Sequence, residues 1–138
     1  VYMDELVLRF CSLTDFKEEL SENISQHMTT YMKNAVSELE KVPNLELSFN
    51  ETIKILAPIG KDVFSGSNNV FSTSLFDCVL VGITKYIDRY KKERTDQIIS
   101  KIDELKKSDS FKKASGSASA SKSRILKRIE VANEIFGK

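Results

Sequence analysis

Apolar side chains recur at steps of three and four along most of this chain, the spacing that places them on one face of an α-helix. The longest such pattern ends at Val42, just before Pro43, and Thr14 or Asp15 could cap its start. Its apolar positions are Leu20, Ile24, Met28, Tyr31, Met32, Ala35, Leu39 and Val42. We predict one long amphipathic helix here, with this stripe packed against a neighbouring helix.

A second segment, residues 75–83, is apolar on nearly all sides except at Asp77. This pattern predicts a central helix covered by its neighbours, with Ser72, Thr73 or Ser74 as its cap. A buried strand is the competing interpretation of so β-branched a segment. The apolar spacing continues at steps of three and four to Tyr90, which favours a helix.

Shorter patterns predict helices over about 4–13, 44–57, from Thr95 onward, and from Ser121 or Ser123 to the end, with a short extra turn near Phe111. Residues of about 114–123 are rich in Ser, Ala and Gly, and we expect them to form a mobile loop. The whole chain, 1–138, is therefore predicted to be one all-α domain, a compact bundle of five to six helices.

Charged residues make up 30% of the chain, an ordinary fraction. The sequence contains no apolar run of the roughly 18 residues that a membrane helix needs. We therefore expect a cytoplasmic protein without a membrane partner, in which Cys11 and Cys78 are buried reduced thiols. The net charge of +1 hides an asymmetry. Residues 1–84 carry 6 basic and 12 acidic side chains, whereas residues 85–128 carry 14 basic and 6 acidic. The basic half could attract phosphate or an acidic surface.

The chemistry-bearing residues do not assemble into a reactive set. The single histidine, His27, has no second metal ligand at a recognisable spacing, the cysteines form no Cys-x-x-Cys pair, and no phosphate-binding glycine loop occurs. We expect no catalysis, cofactor or metal site within these residues. Asp77 is expected to act as a cap or to pair with a basic residue of another helix.

The strongest local signal is a serine cluster that precedes basic residues at the start of the last predicted helix. These residues are Lys122, Arg124, Lys127 and Arg128. A helix N-terminus and basic side chains together suit phosphate, so we interpret them as a candidate DNA-contact site. A solvated helix face next to a loop is the alternative interpretation.

Several of these patterns combine into a family resemblance. They are Glu5-Leu6-Val7-Leu8-Arg9-Phe10, Phe16-Lys17 with Leu20, Ile24 and Met28, Phe49 with Ile53, Gly60 with Phe64, Leu75-Phe76-Asp77, and the serine-rich turn before Arg124 and Arg128-Ile129. Together they resemble the helical C-terminal portion of the GmrSD-type, ParB-like N-terminal domain family, long catalogued as a domain of unknown function.

The resemblance implies a prokaryotic, nucleotide-dependent system of DNA restriction or phage defence. In that family a ParB-like domain with an Asp-Gly-Gln-Gln-Arg motif precedes such helices, and an HNH-type nuclease domain often follows. Neither motif occurs here, so no catalytic residue can be transferred. The resemblance implies a non-catalytic helical part that supports an upstream ParB-like domain and contacts DNA or a nuclease domain. The apolar pattern is already under way at Val1, so we expect a piece of a longer protein.

The alternative function belongs to another class. A helical protein–protein interaction or dimerisation module, without nucleic-acid binding, would have an exposed apolar face that packs against another domain or a second copy of the chain.

Overall fold

The computed structural model describes residues 3–15, 20 and 23–138, and the regular elements of this part of the chain are helices. The α-helices are α1 (Met3–Thr14), α2 (Ile24–Ala35), α3 (Val42–Leu56), α4 (Thr73–Lys85), α5 (Ile87–Tyr90), α6 (Thr95–Lys107), α7 (Asp109–Ala114) and α8 (Lys122–Phe136). Two 3₁₀ turns, Leu39–Lys41 and Lys61–Phe64, lie before and after α3. The all-α prediction is confirmed, with more and shorter helices than the five to six expected.

Helix α4 forms the centre of the core, as its all-round apolar pattern predicted. Every residue from Leu75 to Ile83 is buried, and the helix packs against α1, α3 and α8. Ser72 caps it by accepting a hydrogen bond from the backbone N–H of Leu75 at 3.2 Å. The predicted continuation to Tyr90 is wrong at Tyr86, whose backbone leaves the helical region and starts the separate short helix α5.

Gly82 allows the close approach of α8 to α4. A Cβ atom at this position would lie 2.6 Å from Cδ2 of Phe136, whose ring is fully buried. Glycine inside a helix costs about 1 kcal/mol relative to alanine. The packing of the Phe136 ring on the bare backbone explains why the helix tolerates that cost.

The prediction of one long helix ending before Pro43 is wrong. Helix α2 ends at Ala35, and α3 begins at Val42 with Pro43 in its first turn. Proline is tolerated there because the first N–H groups of a helix have no partner within it. Asn23 caps α2 through its side chain, which accepts from the N–H of Gln26 at 3.0 Å. The predicted caps Thr14 and Asp15 are therefore wrong: Thr14 is the last residue of α1, and Asp15 follows it directly. Residues 16–19 and 21–22, in which the start of that helix was expected, lie outside the described residues.

The buried stripe predicted for that helix is also wrong beyond its first residues. Leu20 and Ile24 are buried, but no residue from 28 to 51 is buried, and all of these lie within the described part of the chain. Met32 is 48% exposed, Val36 72% and Leu39 65%. Met32, Val36 and Leu39 therefore face outward, not into the core.

The connection between α7 and α8 is held by a side chain of α8. Arg128 Nη1 donates to the carbonyl oxygens of Ala114 and Ser119, each at 2.7 Å. Ser121 forms an isolated antiparallel bridge with Asn23 at the start of α2. The mobility expected for residues 114–123 stays a prediction.

None of the helices in the described residues combines the length and the apolar character needed to cross a membrane.

Candidate functional site

The four basic residues of the predicted phosphate site do not form one surface. Lys122 and Lys127 are exposed on α8, and Lys127 pairs with Glu130 at 2.8 Å. Arg124 donates to the carbonyl oxygen of Lys113 on α7. Arg128 is buried. Three of the four therefore remain candidates for contact with an anion.

Arg128 has a structural position that the sequence did not indicate. It is 3% exposed and bonded to two backbone carbonyl groups, and burial lowers the pKa of its guanidinium while Cys78 and Asp77 nearby oppose that shift. A phosphate on the surface cannot reach a side chain enclosed in this way. The basic surface of α7 and α8 consists instead of exposed lysines and one partly exposed arginine. They are Lys112, Lys113, Lys122, Arg124 and Lys127.

Asp77 pairs with a basic residue of another helix, one of the two roles predicted for it. Arg9 Nε on α1 lies 3.1 Å from Oδ1 and 3.0 Å from Oδ2 of Asp77, and Arg9 Nη2 donates to Oδ2 as well. Burial raises the pKa of Asp77, and the hydrogen bonds from Arg9 oppose this shift. The pair lies between α1 and α4 in the interior, so its role is to join two helices.

Two of the remaining reactive side chains, Cys78 and His27, also have interior positions. Cys11, predicted to be buried, is only partly so. Burial raises the pKa of Cys78 to about 12, so its thiol stays protonated at neutral pH. His27 is buried, with Nε2 2.8 Å from the carbonyl oxygen of Ser12, which joins α2 to α1. Among the described residues no group of three or more His, Cys, Asp or Glu side chains is placed to hold a metal ion.

An open apolar cleft lies between α1, α2, the 3₁₀ turn at Leu39–Lys41 and α3, and we call it the α1–α3 groove. Its volume is about 670 Å³, within the range of about 300–1,000 Å³ that is usual for protein binding clefts. The groove is lined by Asp4, Val7, Leu8, Cys11, Asp15, Tyr31, Met32, Ala35, Val36, Glu38, Leu39, Lys41, Val42, Leu45, Glu46 and Phe49. Most of these side chains are apolar, and several are largely exposed to solvent.

The charged residues of the groove are mainly acidic. Four carboxylates, those of Asp4, Asp15, Glu38 and Glu46, line it together with a single basic side chain, Lys41. Lys41 Nζ lies 2.7 Å from Glu38 and 3.7 Å from Asp15. The hydrogen bond to Glu38 raises the pKa of Lys41.

The negative charge of the groove also acts on two side chains of its lining, Cys11 and Tyr31, that are neutral when protonated. Burial and then the charge of Asp15 raise the pKa of the Cys11 thiol. The pKa of Tyr31 is raised for the same two reasons, and its hydroxyl lies 3.4 Å from Asp15. The electrostatic field in the groove would therefore favour the binding of a positively charged group over a negatively charged one.

Sequence reasoning missed this groove because it assigned the same apolar residues to a buried stripe. The signal that could have revealed it is Pro43, which fits the first turn of a helix as well as the residue after one. A helix that starts at Val42 divides the apolar stripe between two helices. The residues of the stripe near this division then no longer need to face the core.

Comparison of the chain with protein-family models, with curated proteins and with solved structures finds no significant match. The resemblance to the GmrSD-type family stays a prediction.

Proposed function

We propose that this chain is a non-catalytic helical interaction domain whose α1–α3 groove receives the apolar face of a helix from another protein or domain. One observation carries the proposal: residues 28–51 contain ten hydrophobic side chains, and none of the residues in this range, all of them described, is buried. Contiguous exposed apolar patches of more than a few hundred Å² are rare on monomers and mark interaction sites.

The shape of the groove favours a helix as its occupant. Helices α1 and α3 flank the cleft, and each lines it with side chains from successive helical turns. These are Val7 and Cys11 on α1, four residues apart, and Val42, Leu45 and Phe49 on α3, at steps of three and four. Side chains at such steps form ridges and grooves into which another helix packs. An amphipathic helix in an apolar groove is one of the recurring modes of peptide recognition.

This proposal retains the supporting role that the family resemblance implies. In the GmrSD-type setting, the occupant would belong to the upstream ParB-like domain or to a nuclease domain, in a cytoplasmic restriction or phage-defence protein. The present chain would supply the binding surface and no catalytic residue.

A designed peptide tests the groove directly. The probe is a fluorescein-labelled 18-residue amphipathic helix with leucine on one face and uncharged glutamine and serine on the other, and binding is measured by fluorescence anisotropy. Substituting Val36→Gln and Leu39→Gln together should weaken binding at least tenfold, because both side chains are exposed in the groove. Val70→Gln, an exposed apolar residue outside the groove lining, is the matched control. Absence of binding to the unsubstituted chain would withdraw the proposal.

The basic surface of α7 and α8 supports a second candidate function, contact with DNA. Its lysines are exposed and lie in the part of the chain that carries the excess of positive charge. Each phosphate neutralised contributes roughly 0.9 to the slope of log affinity against log salt. Replacing Lys122 and Lys127 by alanine should therefore reduce that slope for a 30-base-pair duplex, whereas replacing the exposed Lys33 and Lys54 should not. Equal effects of the two pairs would remove the DNA assignment.

A further inference from the structure

We infer that the helix received by the α1–α3 groove is basic, with lysine or arginine residues flanking its apolar face. This inference rests on the proposed function and adds the charge of the partner. The observation behind it is the set of carboxylates that surrounds the apolar lining.

Two of the four carboxylates have no ion-pair partner in the part of the chain that the structure describes. Lys41 contacts Glu38 and Asp15, which leaves Asp4 on α1 and Glu46 on α3. Neither of these two has an ion-pair partner within 4 Å among the described residues, and both line the groove. They extend from the two helices that flank the cleft. A partner helix with cations on both sides of its apolar face would place one charge near each.

Desolvation strengthens this preference. A docked helix excludes water from the apolar lining and lowers the local dielectric, so each carboxylate at the margin would interact more strongly with any charge brought near it. An acidic partner would add like charges beside four carboxylates and one lysine. A basic partner would instead supply the missing counter-ions.

The same charges argue against a second copy of the chain as occupant. Two grooves facing each other across a two-fold axis would bring two acidic margins together. The basic surface of α7 and α8 would match in charge, but Leu126 is the one large hydrophobic side chain of α8 that is exposed in the described structure. It offers too little apolar area to fill the groove.

The experiment compares two charged variants of the neutral probe peptide described above. Both retain the leucine face, and one carries lysine and the other glutamate at the positions that flank it. At low ionic strength the lysine peptide should bind the unsubstituted chain roughly tenfold more tightly than the glutamate peptide, and 0.5 M salt should remove most of the difference. The double substitution D4K/E46K should abolish or reverse the preference. The control D88K/E134K changes the net charge equally at exposed positions outside the groove lining and should preserve it.

The outcomes separate the two proposals. Equal binding of both charged peptides, still weakened by V36Q/L39Q, would overturn the basic partner and leave the interaction function intact. Failure of the neutral peptide to bind would withdraw the proposed function and, with it, the inference that rests on it. Binding of the lysine peptide that V36Q/L39Q does not weaken would show surface attraction alone and overturn the inference. A dimer in sedimentation that V36Q/L39Q dissociates would identify a second copy as the occupant and overturn it too.

Discussion

The Arg9–Asp77 pair gives the sharpest test of how the bundle is held together. Substituting Asp77→Val leaves Arg9, a residue that is 8% exposed, without the carboxylate that its guanidinium contacts. Breaking one side of a buried ion pair costs about 3–5 kcal/mol. Arg9 Nη1 also lies 3.9 Å from Glu5, a partly exposed carboxylate that can compensate in part. We therefore expect the loss in unfolding free energy to fall near the lower end, about 3 kcal/mol.

Removing both partners should cost far less than removing one. The double variant R9M/D77V replaces the pair with apolar side chains, a change that is often neutral or stabilising by about 1–4 kcal/mol. Arg128 lies within electrostatic reach of both groups, with opposite effects from each. Loss of the pair therefore leaves the field at Arg128 nearly unchanged. The unfolding free energy of the double variant should lie within about 1 kcal/mol of that of the unsubstituted chain.

The single variant R9M should in addition depend on pH. Burial already raises the pKa of Asp77, and R9M removes the hydrogen bonds that oppose this shift. A carboxyl whose pKa is higher in the folded state binds its proton more tightly there, so stability falls as pH rises through that pKa and recovers on acidification. The cost of R9M should therefore shrink as the pH is lowered through that raised pKa, whereas the cost of D77V should not follow this trend.

Urea unfolding followed by circular dichroism at 222 nm measures these values for all four chains. A domain of this size has about 5–15 kcal/mol of stability, so the expected losses are measurable. A double variant that loses the sum of the two single losses would contradict this expectation, because the pair would then contribute through packing and not through charge.

Three further predictions follow from the core. Gly82→Ala should destabilise the chain by about 1–3 kcal/mol despite its better helix propensity, and Phe136→Leu in the same chain should recover part of the loss in urea unfolding. Alkylation by iodoacetamide at pH 8 should modify Cys11 before Cys78, since Cys78 is buried with a pKa raised to about 12; equal rates in mass spectra of the peptides would contradict this. Tyr90→Phe removes a buried hydrogen bond of 2.6 Å to the carbonyl oxygen of Phe136, and a loss of about 1–3 kcal/mol in unfolding free energy is expected because that oxygen loses its partner.

Much of the fold could be predicted from spacing alone. The all-round apolar pattern of α4 identified the central helix, and Ser72 was among the residues expected to cap it. The break at Tyr86 could not be predicted, because the apolar spacing continues through it and the change of direction depends on how Tyr90 reaches α8. Patterns report which face is apolar, but they do not report where the chain turns.

The candidate site was less predictable. Arg128 looks like its basic neighbours in the sequence, and its burial follows from the position of the α7–α8 connection, which spacing does not specify. The α1–α3 groove was hidden because amphipathic spacing is the same whether an apolar face meets the core or solvent. Which of the two occurs depends on tertiary packing.

The hydrogen bonds from Arg128 to the connection before α8 affect which substitutions this connection tolerates. The guanidinium donates to main-chain carbonyl oxygens, and every residue type supplies such an oxygen whatever its side chain. The other small residues of the connection should therefore be exchangeable among Ser, Ala and Gly, whereas Ala118, with a φ of 58°, lies in the left-handed region that favours glycine. The arginine that organises them has no substitute with the same fork of donors, since lysine presents a single point charge.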